Sequence, residues 1–65
     1  MVEIIIVPSE EKIEIETPIK VKYMLRKLGI LKNEALVIKD GRILTGDLLL
    51  RDNDKVEIRL VTSRG

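Results

Sequence analysis

The sequence predicts a two-layer α+β domain in which one helix packs on one sheet. Three observations lead there. Several short segments alternate apolar and polar residues with period two, the pattern of half-buried strands. One segment carries a helical stripe instead, with Val21, Met24, Leu25 and Leu28 at i, i+3, i+4 and i+7. The chain has 65 residues, enough for a single core, so helix and strands must share it.

Residues 2–7 read as the first strand. Val2, Ile4 and Ile6 fall on one face and Glu3, Ile5 and Val7 on the other. Two of these latter three are apolar, so this strand is either covered on both sides or presents an adhesive outer face. Pro8 fixes φ and lacks an N–H, which closes the strand. Residues 12–16 alternate cleanly, with Ile13 and Ile15 inward and Lys12, Glu14 and Glu16 outward, and should return antiparallel to the first strand.

Thr17-Pro18 breaks the pattern before a helix over residues 20–28, which Gly29 ends as a left-handed C-cap. The exposed side of that helix holds Lys20, Lys22, Tyr23, Arg26 and Lys27. A solvated helix face, with cations favoured in the last turn by the helix dipole, accounts for these better than a nucleic-acid surface, because one aromatic residue offers little for base stacking.

Residues 30–34 form a linking loop with Asn33 as a turn residue. A third strand spans 35–39. Asp40-Gly41 then suits a two-residue type I′ hairpin, whose central positions both need positive φ, and residues 42–44 return. Leu48-Leu49-Leu50 is expected as a single helical turn or a loop plugged into the core. Residues 51–54 turn, with Asn53 in the left-handed region. Asp52 and Asp54 lack the further ligands of a calcium loop. The last strand carries Val56, Ile58 and Leu60 inward, alternating with Glu57, Arg59 and Val61. The order is strand, strand, helix, strand, strand, strand. The chain thus divides into a domain over 1–61 and a short polar tail over 62–65.

Composition narrows the function. Apolar residues make up 45% of the chain, which supplies a core without staples. With no cysteine there is neither a disulfide nor a thiolate metal site, which fits a cytoplasmic protein. With no histidine, the commonest general base and metal ligand is missing too. Heavy use of Ile, Lys and Glu suits a thermophilic source. Net charge is +1 with 35% charged residues of both signs, a mixed surface and not a polyanion binder by bulk charge. No apolar run approaches the ~20 residues of a membrane helix, and the opening strand lacks the basic leader of a signal peptide. A monomer with no nucleic-acid or membrane partner is expected.

The helix segment Val21-Lys22-Tyr23-Met24-Leu25-Arg26-Lys27-Leu28-Gly29 resembles the Val-Lys-x-Leu-Leu-x-x-Leu-Gly helix of the ThiS/MoaD group of sulfur carriers, β-grasp relatives of ubiquitin. Leu36-Val37-Ile38-Lys39-Asp40-Gly41-Arg42 resembles that family's strand and hairpin. Leu50-Arg51-Asp52-Asn53-Asp54-Lys55-Val56-Glu57-Ile58 resembles its Leu-x-Asp-Gly-Asp-x-Val-x-Ile segment. The sequence then stops at a glycine a few residues beyond the last strand, as in the family.

The resemblance implies a ubiquitin-like β-grasp, a mixed sheet of four to five strands with the first and last parallel at its centre and the helix across one face. It implies that Gly65 is the carrying residue. A ubiquitin-activating-type partner enzyme, using ATP and magnesium, would adenylate its carboxylate. Sulfur transfer would give a thiocarboxylate for a sulfur-accepting synthase of thiamine, molybdopterin or tRNA thiolation. Thr62, Ser63 and Arg64 would thread the partner's channel, and Ile5, Val37 and Val61 would dock on it.

This chain has no P-loop and none of the His or Cys groups of such chemistry, so it would be carrier and substrate, not enzyme, with no cofactor of its own. The family ends in Gly-Gly, and here Arg64 precedes Gly65. Three readings stay open: a cognate enzyme that accepts Arg64, a sequence short of its last residue, or a fold that has lost the chemistry. Two other functions compete, a modifier joined to protein lysines and a non-covalent β-grasp binding module.

Overall fold

The first and last strands, β1 (Val2–Val7) and β7 (Lys55–Leu60), lie side by side and run parallel, with Ile4 opposite Val56 and Ile6 opposite Ile58. The computed structural model in which they are seen describes residues 1–61, apart from the side chain of Lys32. Outward from this pair, β2 (Glu11–Ile15) adds antiparallel to β1, and β4 (Ala35–Lys39) adds antiparallel to β7. The short β5 (Arg42–Ile43) closes the far edge, giving a mixed five-stranded sheet in the order β2-β1-β7-β4-β5. One helix, α1 (Val21–Leu28), packs against one face. This α+β arrangement is compatible with a β-grasp.

Core and periodicity agree. From the sheet come Val2, Ile4, Ile6, Ile15, Ala35, Val37, Val56 and Ile58, and from the helix Val21, Met24 and Leu25. Leu50 completes the set. No polar or charged residue among those described is buried, so desolvation of polar groups does not oppose the packing. Leu28, the last residue of the stripe, is half-buried.

The turns follow backbone chemistry. Gly29 sits at φ 73° and donates its N–H to the Arg26 carbonyl, while the Ile30 N–H reaches the Leu25 carbonyl at 2.9 Å. Those two bonds make a Schellman ending that satisfies two orphan carbonyls. Asp40 and Gly41 both have positive φ (53° and 78°), as a type I′ turn requires, and Asn53 is left-handed at φ 71°.

Four expectations are corrected. The helix begins at Val21, with Lys20 in extended conformation as its N-cap. Two strands were not foreseen, β3 (Ile19–Lys20) and β6 (Leu49–Leu50), which pair antiparallel as a separate two-stranded sheet. Leu49 and Leu50 of the leucine run are therefore strand and not a helical turn, and Leu50 does plug the core. Residues 30–34 contain a 3-10 turn, Lys32–Glu34. Finally, Leu60 is 36% exposed, because β7 is losing its cover by that point.

Leu25 is 5% exposed at the centre of the helix–sheet contact. Leu25→Ala is expected to cost about 2–5 kcal/mol, a large share of the ~5 kcal/mol available to a domain this small. Urea denaturation followed by circular dichroism checks it, with a lowered midpoint and unchanged slope as the expected result.

Candidate functional site

The helix covers one face of the sheet, and no described element covers the other. Strand register determines which residues appear there. Lys12, Ile5, Glu57, Ile38 and Ile43 stand opposite one another in sequence across all five strands, forming a single row. The next row holds Val7, Arg59 and Leu36. Apolar and charged side chains therefore alternate across the face as far as Ile38, beside which Ile43 makes an apolar pair. Arg59 donates to Glu57 along the same strand at 3.0 Å, and Lys12 lies 3.8 Å from Glu3. The aliphatic stems of such long side chains shelter apolar neighbours, and Ile5 and Val7 are half-buried between them.

Each residue assigned to partner docking finds a different place. Ile5 lies on the open face, in the row just described. Val61 follows β7 directly and is 47% exposed, and its N–H donates to the Glu34 carbonyl at 2.9 Å. Val37 is corrected: it is 3% exposed and belongs to the core beneath the helix. The parity of β4 places Leu36 and Ile38 outward in its stead. The strand reads Ala-Leu-Val-Ile-Lys, almost uniformly apolar, so alternation could not say which residues face in, and a one-residue slip exchanges the faces. Leu36 and Ile43 are exposed and complete the patch that sequence reasoning missed. Their signal was available in the Asp40-Gly41 hairpin, which sets Ile38 opposite Ile43. Thr62, Ser63, Arg64 and Gly65 lie outside the described residues.

No protein-family model matches this chain, and no curated protein matches it either. Its chemistry must be read from its own residues.

The exposed side of α1 carries Lys22 and Arg26 on either side of Tyr23, with the ammonium 5.4 Å and the guanidinium 5.7 Å from the ring centroid. These contacts order the basic side chains along the helix. Among the described residues no group of three or more His, Cys, Asp or Glu is placed to hold a metal ion, and no helix is long and apolar enough to cross a membrane.

The two aspartates of the last turn have structural partners instead. Asp52 accepts from the Met1 amino group and from the Thr17 hydroxyl. The hydrogen bond from the amino group is the main cause of its lowered pKa, followed by that from Thr17. Asp54 accepts from the Arg51 backbone N–H at 2.8 Å and lies 3.2 Å from the Lys39 ammonium. Its carboxyl is also held below the usual range, chiefly by the backbone N–H, with desolvation opposing and Lys39 assisting.

A depressed folded-state pKa means that this carboxylate stabilises the fold above its unfolded value of about 3.9, and that the contribution is lost as pH falls through the lower folded value. Asp54→Asn keeps an oxygen for the Arg51 N–H and removes the charge. The melting temperature of the variant is expected below that of the parent at neutral pH, with the gap closing as pH drops below the carboxylate range. A gap independent of pH would assign the effect to geometry alone.

Proposed function

We propose that this chain is a β-grasp sulfur carrier of the ThiS/MoaD type, acted on by a ubiquitin-activating-type enzyme and not itself an enzyme. The observation that carries the reading is the placement of the last strand. β7 is central, parallel to β1, and leads after Leu60 into a sequence whose final residue, Gly65, lies five positions on. A glycine carboxylate bears no Cβ and can enter a narrow channel, while the folded body offers a docking face. The segments that resemble the family fall in α1, at the turn between β4 and β5 and just before β7, an order compatible with a β-grasp.

The chemistry is borrowed from the partner. A carboxylate is a poor electrophile because it is anionic and resonance-stabilised. One of its oxygens attacks the α-phosphorus of ATP, pyrophosphate leaves, and an acyl-adenylate forms. Hydrosulfide then attacks the acyl carbon, AMP leaves with the C–O bond electrons, and the product is a thiocarboxylate. Magnesium and the phosphate-binding groups belong to the activating enzyme. Arg64 would pair with a carboxylate in that enzyme's channel, in place of the glycine usual at this position. Docking falls to Ile5 on the open face and to the exposed Val61 just after β7, and a cytoplasmic setting supplies the ATP and the reduced sulfur. The acceptor would be a thiamine, molybdopterin or tRNA-thiolation system.

Intact-mass measurement after incubation with ATP, magnesium, sulfide and the cognate activating enzyme tests this. The expected product has one oxygen replaced by sulfur on the peptide ending at Gly65, and removing Gly65 abolishes it without moving the melting temperature. An adduct on a lysine of another protein would identify a conjugated modifier. Unchanged mass would favour a non-covalent module, which tolerates Gly65→Ala and whose binding through the basic helix face weakens with salt.

A second variant addresses docking. Ile5→Lys is expected to weaken the complex with the activating enzyme at least about tenfold, as loss of a buried apolar anchor does. Its melting temperature should fall far less than that of Leu25→Ala. A comparable fall would make Ile5 a folding residue and remove it from the docking surface.

A further inference from the structure

The strand β2 is one edge of the sheet and pairs with β1 along its inner side only. Which of its backbone groups face outward follows from a single bond. The Glu3 N–H donates to the Asp54 carbonyl at 2.9 Å, so Glu3 directs its backbone groups toward β7. Backbone direction alternates along a strand, so Val2, Ile4 and Ile6 turn theirs toward β2. Their opposite residues Ile15, Ile13 and Glu11 bond back to β1. Lys12 and Glu14 therefore direct N–H and C=O away from the sheet, and among the described residues no strand lies beyond them. The strand is accessible there as well as unpaired: Glu11, Lys12 and Glu14 are exposed and Ile13 is half-buried.

Charged side chains usually blunt such an edge. Here their signs differ on the two sides of Ile13, which makes the edge complementary to itself. Glu14 stands directly opposite Glu3, a like-charge pair, while Lys12 lies 3.8 Å from Glu3. Among the described residues no cation lies within ion-pair distance of Glu14. In an antiparallel copy of β2, outward-facing residues must meet outward-facing residues, so allowed registers differ by steps of two. One register overlaps the whole strand, with Ile13 on a two-fold axis. It sets Lys12 against the partner's Glu14 and Glu14 against the partner's Lys12. A step either way sets Lys12 against Lys12 or Glu14 against Glu14.

We propose that β2 pairs antiparallel with β2 of a second copy of this chain in that register, joining the two sheets into one. The axis stands perpendicular to the sheet, so both helices lie on one side and both open faces on the other. Each Lys12 supplies the cation that the other copy's Glu14 lacks, and the two Ile13 side chains meet at the axis on the helix side. Backbone bonds give the affinity, and the crossed charges fix register and orientation. The contact is small, so the dimer is weak and forms on the order of 0.1–1 mM. It goes beyond the carrier chemistry, because it uses neither Gly65 nor Val61 and β1 separates it from β7.

The test uses the full chain alone, isotopically labelled, diluted from about 1 mM at low ionic strength and followed by amide NMR and sedimentation equilibrium. Concentration-dependent shifts are expected at Lys12, Ile13 and Glu14, with slowed hydrogen exchange of the Lys12 and Glu14 amides and a mass rising toward that of a dimer. Lys12→Glu and Glu14→Lys each turn both attractive pairs into repulsive ones, and each alone should weaken association about tenfold. An equimolar mixture of the two variants recovers both pairs and should associate at least as strongly as the parent. Melting temperatures of the dilute variants check that they fold, and the parent's own shift pattern decides the matter if one does not. A monomer throughout the series would leave this edge to solvent or to another protein's strand and overturn the proposal. So would shifts centred on Leu36, Ile38 and Ile43, single variants that associate like the parent, or a mixture no stronger than its components.

Discussion

The parallel ladder between β1 and β7 is the constraint on which the rest of the structure depends. Two parallel strands cannot be joined by a tight turn, and the chain between them must cross from one end of the sheet to the other. Here that crossover is the whole interior of the sequence. The ladder also sets the chemistry of its strands. Ile4 and Ile58 are fully buried at its middle, and their neighbours along each strand face the opposite side. A helix over the buried face follows from this, because those residues need apolar cover and the crossover has the length to provide it. The lower end of the ladder is tied to the preceding turn, where Glu3 donates to the Asp54 carbonyl and Asn53 to that of Met1. The left-handed Asn53 and the accepting side chain of Asp54 are the means by which that turn holds its shape.

Much of this was legible in the residues. β1 and β4 coincide with the segments read from apolar patterning, and the Asp40-Gly41 turn with its positive φ values was readable from two residues. The helix was readable because a stripe, a preceding Pro18 and a following Gly29 all agree. Reading failed where period or length gave no information. β3 and β6 are two residues each, too short to show alternation, and they exist because Ile19 and Leu50 face each other across a gap that only the tertiary fold creates. β4 is apolar on both faces, so its existence was evident and its parity was not. That single ambiguity put the outward residue of β4 at Val37, whereas Leu36 and Ile38 face outward. Of the candidate site, the residues that would do the chemistry were read from motif and position, and the face that would present them needed the register.

The N-terminus of α1 shows how one loop shapes two features. Lys20 is a poor N-cap, its side chain accepts no backbone N–H, and the first turn holds no acidic residue. Two of the orphan N–H groups are satisfied from elsewhere: Val21 donates to the Leu48 carbonyl at 3.0 Å and Lys22 to that of Gly46 at 3.1 Å. The loop after β5 thus replaces a capping side chain with its own backbone. Gly46 suits this approach, since a Cβ there would stand 3.3 Å from the Cβ of Lys22, closer than most such contacts.

The same requirement explains the bare edge of β4. After Leu44 has donated to Val37, the chain has two directions open to it. Continuing along β4 would pair residues 45 and 46 with the Ala35 end and complete an ordinary hairpin. Turning toward the helix places the Gly46 and Leu48 carbonyls over its first turn. One loop cannot do both, because the first turn of the helix and the Ala35 edge stand on opposite sides of a groove between α1 and the sheet. An unsatisfied helix start buried against the sheet would cost on the order of 1–3 kcal/mol for each lost bond. The chain therefore caps the helix and leaves the edge free. The groove between α1 and the sheet is the space left between those two demands, a consequence of how this helix is begun.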